Sequence, residues 1–595
     1  MNSSFQKLRL IYFLGSFFLL LYLTARSILV PFVYDEAATF FIYILPGEFI
    51  PFNSYWDANN HLLNSFLGIV SSYFFGNSEW ALRLPNVLFF IFSIVFLFQL
   101  HKFFENKIVW FCMALSILFS HNLIEYSAYC RGYGMAISSL IASVYFSLEF
   151  LRHSNTRSLI GFNLFSFLAL AANFTLLNVM LIATAILIVR SIYERKFAVK
   201  IIAGLLLNVI FIALTVWIAT ELKKRGLLYY GSQDGFYKVT LTSLCNLIYG
   251  STTKILPVGF IVLTLLMCVI YVRKIKSEAI NDLLSKPATI AAILFMGSIL
   301  AIICLNLLLN VNYPEDRTAL YLYPLFILFL FFSIDLFSVK KIAKTSSAVI
   351  LFLVAAHFFT QANFANSTYW KQERVPETFY NHIANEWKGR EHEVFISAYR
   401  MKSYVWNYYT FKNNRKLNEI YHQHFPSSKA DYLIIEEDNY NKHPDIVKNY
   451  NEVYFDEHNH IRLLKNKSTL NYQLVFDSVV TEPKTIIYPY VDLLDLKIYN
   501  DSIQNAASEF ECELSTDKLS YIDFVFKAMK GNETLSEAVC RIQWQREKWI
   551  NPDNKIKNRI FLENVTSADR YVLFINGREG ESYKLSNLKI KVFSF

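Results

Sequence analysis

Charged residues are scarce in this chain. Asp, Glu, Lys and Arg make up 18% of its 595 residues, against roughly 25% in soluble domains. Hydrophobic residues reach 54% and aromatics 17%. A chain with this balance is partly dissolved in lipid rather than folded wholly in water. The formal charge of +9 does not argue for nucleic acid, because many Lys and Arg sit in short loops between apolar runs, as membrane topology imposes. The seven cysteines lack any metal-like spacing. Cys512 and Cys540 read as buried thiols or, in an oxidising compartment, as a disulfide. No cleavage signal follows the first apolar run from Leu10, which reads as a retained helix. Internal repeats and low-complexity tracts are absent too.

What the sequence has instead is a succession of about eleven apolar runs in its first 360 or so residues, long enough or nearly so to cross a bilayer. The third, fifth and sixth, near 108–121, 158–173 and 176–190, are short. With the N-terminus in the cytoplasm, the inner loops carry Lys102 and Lys107, Arg152 and Arg157, Arg190 and Lys200, and Lys340 and Lys341. The first outer loop, 32–82, has no Lys or Arg. The outer loop 220–254 breaks the rule with Lys223, Lys224, Arg225, Lys238 and Lys254. An odd number of crossings puts the C-terminal part outside. The expected protein is therefore mainly α-helical and polytopic, in a cytoplasmic (inner) membrane, with its C-terminal modules on the outer or periplasmic side.

The expected domains are a transmembrane catalytic region over 1–365, a soluble α/β module over 366–468 and a β-sandwich over 469–595. In the α/β module, Glu393–Tyr399 and Asp431–Glu437 read as buried strands and Glu452–Lys465 as a hairpin. In the sandwich, Ile522, Phe524 and Phe526 alternate onto one face, as do Leu588, Ile590 and Val592.

Chemistry-bearing residues collect in the outer loops. Asp35 and Glu36 follow the first helix at the membrane edge, where ionised groups are costly and face water or a site. Asn59-Asn60-His61 precedes an apolar stretch at helical spacing, read as an interfacial helix with Asn59 or Asn60 as N-cap. Arg83 opens the second long helix. A short connection then packs Glu125, Tyr129, Arg131 and Tyr133 together, and another holds Glu315, Asp316 and Arg317. Taken singly, each has a plain structural explanation: a solvated helix end, a cap, a snorkelling Arg, a local ion pair. Together they set carboxylates, His and Arg on one face. Arg donates a planar fork to phosphate oxygens, and a carboxylate takes a proton from an attacking hydroxyl.

These motifs resemble those of the GT-C class of membrane glycosyltransferases, specifically the family-39-like group of protein O-mannosyltransferases and the lipid A aminoarabinose transferase. The likeness covers roughly residues 1–365 and is carried by Asp35-Glu36, Asn59-Asn60-His61, Glu79 to Pro85, Tyr129 to Gly134, and Arg317 before Tyr323-Pro324. It departs at His61-Leu62-Leu63, where the mannosyltransferases carry a His-Pro-Pro type run. The resemblance implies a polyprenyl-phosphate sugar donor, a glycan, lipid or protein acceptor, and transfer of a hexosyl or pentosyl group to a hydroxyl. It implies catalytic roles for Asp35 as base and Glu36 as its partner. His61, Arg83, Tyr129, Arg131, Tyr133, Glu315, Asp316 and Arg317 become the substrate-binding candidates. The resemblance fixes no cofactor; a divalent metal on carboxylate and His is an open alternative, since Arg alone can meet phosphate charge. Membrane lipids, and no nucleic acid, are the other expected partners. A polysaccharide polymerase or ligase of another membrane fold is the rival reading. A transporter is a more distant one, as it would place its charges near mid-membrane in paired halves.

Overall fold

The structure, a computed structural model, describes residues 3–195, 198–250, 253–275, 286–367 and, with short interruptions, 375–595. Its contacts divide the chain into two compact units, one of residues 1–30 and 42–369 and the other of residues 31–41 and 370–595.

The first unit is helical. Among the described residues, nine helices are long and apolar enough to span a membrane. Two of the about eleven expected runs do not meet that test by themselves. Lys107–Leu118 and His121–Ser127 form one run bent by 55°, because the chain turns extended at Ser120 before the second helix begins. Thr156–Ala172 has only 17 residues, about 26 Å of helix against a hydrocarbon core of about 30 Å. Two spans are enclosed by the others: the most apolar windows of Gly132–His153 and Asp316–Asp335 are 89% and 94% buried. The outer helices keep large apolar side chains exposed, among them Leu10, Leu14 and Phe17 on the first helix and Ile255, Val262 and Leu265 on Ile255–Ile275. Such faces are unfavourable in water and suited to lipid.

The helix Leu62–Phe75 forms as expected, with its polarity inverted relative to a soluble helix. Its buried side is Asn64, Ser65, Gly68 and Ser71 with Leu63, and its exposed side carries Phe66, Tyr73, Phe74 and Phe75. Asn64 explains part of this, since its amide donates to the Cys130 carbonyl at 3.1 Å and accepts from Asn86 at 2.9 Å. Polar groups turned inward find partners, while the aromatic side suits the bilayer interface.

The second unit is strand-rich. Strands β1 (Ile396–Tyr399), β2 (Tyr421–Gln423), β3 (Tyr432–Glu436), β4 (Tyr450–Asp456) and β5 (Ile461–Asn466) form one sheet in the order β2-β1-β3-β5-β4. β1 runs parallel to β2 and β3, while β4 and β5 make the expected antiparallel hairpin. Beyond them lie β6 (Gln473–Val480), β7 (Lys484–Ile486), β8 (Tyr490–Lys497), β9 (Ala506–Thr516), β10 (Ile522–Lys530), β11 (Glu533–Arg541), β12 (Lys555–Leu562), β13 (Arg570–Gly577) and β14 (Tyr583–Ser594). They form two sheets, β11-β10-β13-β8 and β12-β9-β14-β6, with β7 on β14. The sheets face each other over one apolar core, where Phe510 of β9 stacks on Phe524 of β10 at 4.2 Å and 3°. Cys512 and Cys540 are both buried there. This core does not stop at the sandwich: Phe395 joins it and stacks on Phe561 at 4.3 Å. Ser427 Oγ donates to the buried Glu563. Burial raises the Glu563 carboxyl above its usual range, with the Ser427 bond opposing.

The segment 31–41, which follows the first helix, groups with this second unit. Phe32 stacks on Tyr408 at 4.5 Å, and Phe40 packs against Tyr408 and Phe411 at 5.5 and 5.2 Å. Both partners lie on the helix Tyr404–Lys412.

Candidate active site

The two enclosed spans, Gly132–His153 and Asp316–Asp335, begin at Arg131 and near Arg317, and the polar groups of the first unit gather around these two residues. Arg131 is the extended residue before Gly132–His153 and is fully buried. Its guanidinium donates to the Asn59 carbonyl at 3.3 Å and to the Asn59 side-chain oxygen. Asn59 is thus held as an arginine clamp and does not cap the helix that follows. Asn60 does not cap it either, because its amide donates to Phe49 O at 2.8 Å and its oxygen accepts from Ser65 at 3.1 Å. The N-cap position falls to His61, without a side-chain cap bond. Side chains that could have capped the helix are drawn off by stronger or longer-range partners.

His61 is buried, and its Nδ1 lies 2.8 Å from the Ala172 carbonyl. A carbonyl only accepts, so Nδ1 carries the proton. Gly132 makes this approach possible: a Cβ there would lie 2.0 Å from the Ala172 oxygen and 2.7 Å from His61 Nδ1. Burial, then the charge of Arg131 and more weakly that of Arg317, hold the imidazole well below its usual pKa, against the Ala172 bond. His61 is therefore neutral at physiological pH.

Tyr133 links the two arginines. Its ring packs edgewise on His61 at 4.8 Å and 67°, and lies 5.9 Å from the Arg131 guanidinium carbon. Its hydroxyl accepts from Arg317 Nε at 3.2 Å. Arg317 Nη1 donates to the Tyr230 hydroxyl at 3.1 Å, and the guanidinium carbon sits 4.7 Å from the centre of the Tyr230 ring. Tyr230 in turn reaches Asp316 Oδ2 at 3.3 Å. Gly231, at φ +89°, lets the loop pass so close to Tyr313 that a Cβ would meet its carbonyl at 2.1 Å. Burial, then Asp316, raises the Glu315 carboxyl above the usual range, with Arg317 opposing.

The remaining candidates lie in other settings. Arg83 is fully buried and donates to the carbonyls of Ser27, at 3.2 Å, and Val30, at the end of the first helix. Such donors satisfy the last carbonyls of a helix. The Tyr129 ring lies 5.9 Å from the Arg83 guanidinium carbon, a contact of a tyrosine beside the Arg131 loop with a helix-capping arginine. Asp35 and Glu36 lie on the short helix Tyr34–Thr39 of the second unit, both buried. Glu36 Oε2 accepts from the Val33 backbone N–H at 3.1 Å and so closes the start of its own helix.

Sequence reasoning missed three partners. Nothing in the sequence marks Asn59 as the partner of Arg131, and Tyr230 sits unmarked in the cationic outer loop. The third is Arg26, near the end of the first span, whose Nη2 donates to Glu125 at 2.7 Å with both side chains fully buried. An ionisable residue inside an apolar run was the signal. Among the described residues, no group of three or more His, Cys, Asp or Glu is arranged to hold a metal ion.

No protein-family model and no curated protein matches the chain. Solved structures similar to it include ArnT from Cupriavidus metallidurans in the apo state, at 11% identity and a TM-score of 0.33 over 76% of this chain and 97% of that one. The same protein bound to undecaprenyl phosphate is similar at 10% identity and a TM-score of 0.32, over 77% and 98%. Arabinosyltransferase EmbB from Mycobacterium smegmatis is similar at 10% identity and a TM-score of 0.38, over 96% of this chain and 64% of its own. Likenesses this remote carry no argument about residues or substrates.

Proposed function

We propose that the chain is a membrane glycosyltransferase that moves a hexosyl or pentosyl group from a polyprenyl-phosphate donor to a hydroxyl of a glycan, lipid or protein. The observation that carries this reading is the convergence of Arg131 and Arg317 on Tyr133, beside the neutral His61, within an apolar helical unit. Two guanidinium groups beside the start of a 22-residue helix favour an anion rich in oxygen. Tyrosine faces suit a sugar ring, and an apolar bundle suits a prenyl chain. In this scheme Arg131 and Arg317 hold the phosphate, Tyr133, Tyr129, Glu315 and Asp316 contribute to donor or acceptor contacts, and Arg83 supports the loop from the end of the first helix. Asp35 is the base, and Glu36 its partner. Undecaprenyl phosphate is the ligand of one of the ArnT structures.

The test is to supply polyprenyl-phosphate sugars to the purified full-length protein and measure release of the lipid phosphate. Arg317→Ala is expected to weaken binding of undecaprenyl phosphate about tenfold or more, the scale of one lost charge-assisted bond. Arg131→Lys keeps the charge and loses the two-pronged hold on Asn59, so it too is expected to bind more weakly. Unchanged affinity in Arg131→Ala and Arg317→Ala together rules out the phosphate role.

The reading also carries an orientation. The Lys and Arg bias of the inner loops supports a C-terminal region outside the cytoplasm of an inner-membrane protein. A reporter fused after Phe595 is expected to be active only in the external compartment, and cytoplasmic activity overturns the orientation.

A further inference from the structure

We propose that His61 reads a hydroxyl of the donor sugar: its Nε2 lone pair accepts a hydrogen bond from that hydroxyl while the arginines hold the phosphate. This rests on the reading above, that the donor is a polyprenyl-phosphate sugar, and assigns His61 a task separate from phosphate binding.

Nδ1 must carry the proton because it faces the Ala172 carbonyl at 2.8 Å, and Nε2 is then a bare acceptor. That atom is buried and has no hydrogen-bond partner. A buried polar atom without a partner needs an explanation, and completion by a ligand is one. Burial and the two guanidinium charges keep the ring neutral, so the acceptor is not lost to protonation near pH 7. A phosphate oxygen cannot satisfy this nitrogen, since both offer lone pairs. A sugar hydroxyl can, because it donates. A cationic pair beside one neutral acceptor therefore matches an anion that also carries hydroxyls.

The arrangement around His61 couples the two halves of such a ligand. Tyr133 packs edgewise against the imidazole, and its hydroxyl is held by Arg317 Nε at 3.2 Å. A phosphate on Arg317 competes for that donor and releases Tyr133 to turn from the imidazole.

The experiment measures binding of polyprenyl-phosphate mannose and arabinose, their monodeoxy analogues and undecaprenyl phosphate alone to full-length wild type and His61→Ala. In wild type, one monodeoxy analogue is expected to bind about ten- to a hundredfold more weakly than its parent sugar. In His61→Ala that difference disappears, while undecaprenyl phosphate still binds. His61→Phe keeps the ring volume and carries the same expectation if the truncation does not fold. His61→Gln, which retains an acceptor, is expected to keep part of the discrimination. Equal discrimination in wild type and both acceptor-less variants overturns the assignment, as does its absence from wild type. Failure of wild type to bind any of these lipids overturns the donor reading itself.

Discussion

Asp35→Asn is expected to fold, insert and bind donor normally, yet transfer sugar at least about a hundredfold more slowly. General-base assistance is worth about 10²–10⁴ in rate, so a loss at the low end corresponds to about 2.7 kcal/mol in the barrier. Asn preserves the size and part of the hydrogen bonding of Asp while removing its basicity. The structure separates the two neighbouring carboxylates. Glu36 is fully buried and accepts the Val33 N–H at 3.1 Å, which gives it a task in holding the helix Tyr34–Thr39. Glu36→Gln keeps an oxygen for that bond and is expected to lower the rate less than Asp35→Asn. Glu36→Ala removes the bond and is expected to cost about 0.5–2 kcal/mol, as loss of an N-terminal cap does. Transfer rate and donor binding, measured on the same preparations, check the order. Near-wild-type turnover by Asp35→Asn removes the base assignment and shifts it to Glu36 or His61.

The largest loss of stability is expected from Arg26→Met. The Arg26–Glu125 pair is fully buried at 2.7 Å. Arg26 also donates to the Asn366 carbonyl at 3.0 Å and to the Asn363 carbonyl, and its partner Tyr22 accepts from Asn363 N at 3.0 Å. One guanidinium thus ties the first helix, the short helix His121–Ser127 and the chain leaving the helix Lys340–Gln361. Removing it takes the guanidinium partner from the buried Glu125, a change that costs about 3–5 kcal/mol. The double substitution Arg26→Met with Glu125→Gln removes that charge and is expected to recover a substantial part of the loss. Thermal unfolding of the purified protein gives the comparison. A melting temperature for Arg26→Met equal to wild type, or a double variant no more stable than the single, contradicts the account.

Helix Leu62–Phe75 and hairpin β4–β5 were legible because each rests on local information. Apolar residues at helical spacing fix a helix, and alternation fixes a strand, whatever lies elsewhere. The span count was less legible. Thr156–Ala172 and the bent pair at Ser120 are apolar enough to read as crossings, but their lengths and the bend depend on how neighbouring helices hold them. Arg131 and Arg317 were found by their position against the charge bias of the outer face. Their partners were not: Asn59 and Tyr230 lie 72 and 87 residues away, respectively, and no local pattern marks such a pairing.

The sequence by itself determined that this is a polytopic helical membrane protein followed by a strand-rich region, because solvation in lipid is decided by composition and run length. It also determined which residue types were available for chemistry. Tertiary structure alone decided their duties. It committed Arg83 to carbonyls at the end of the first helix and paired Arg26 with Glu125. It also turned His61 so that one ring nitrogen is bonded to Ala172 and the other is not. A polar side chain in an apolar interior must find its partners wherever the fold brings them, and that is a property of packing at long range rather than of neighbours in sequence.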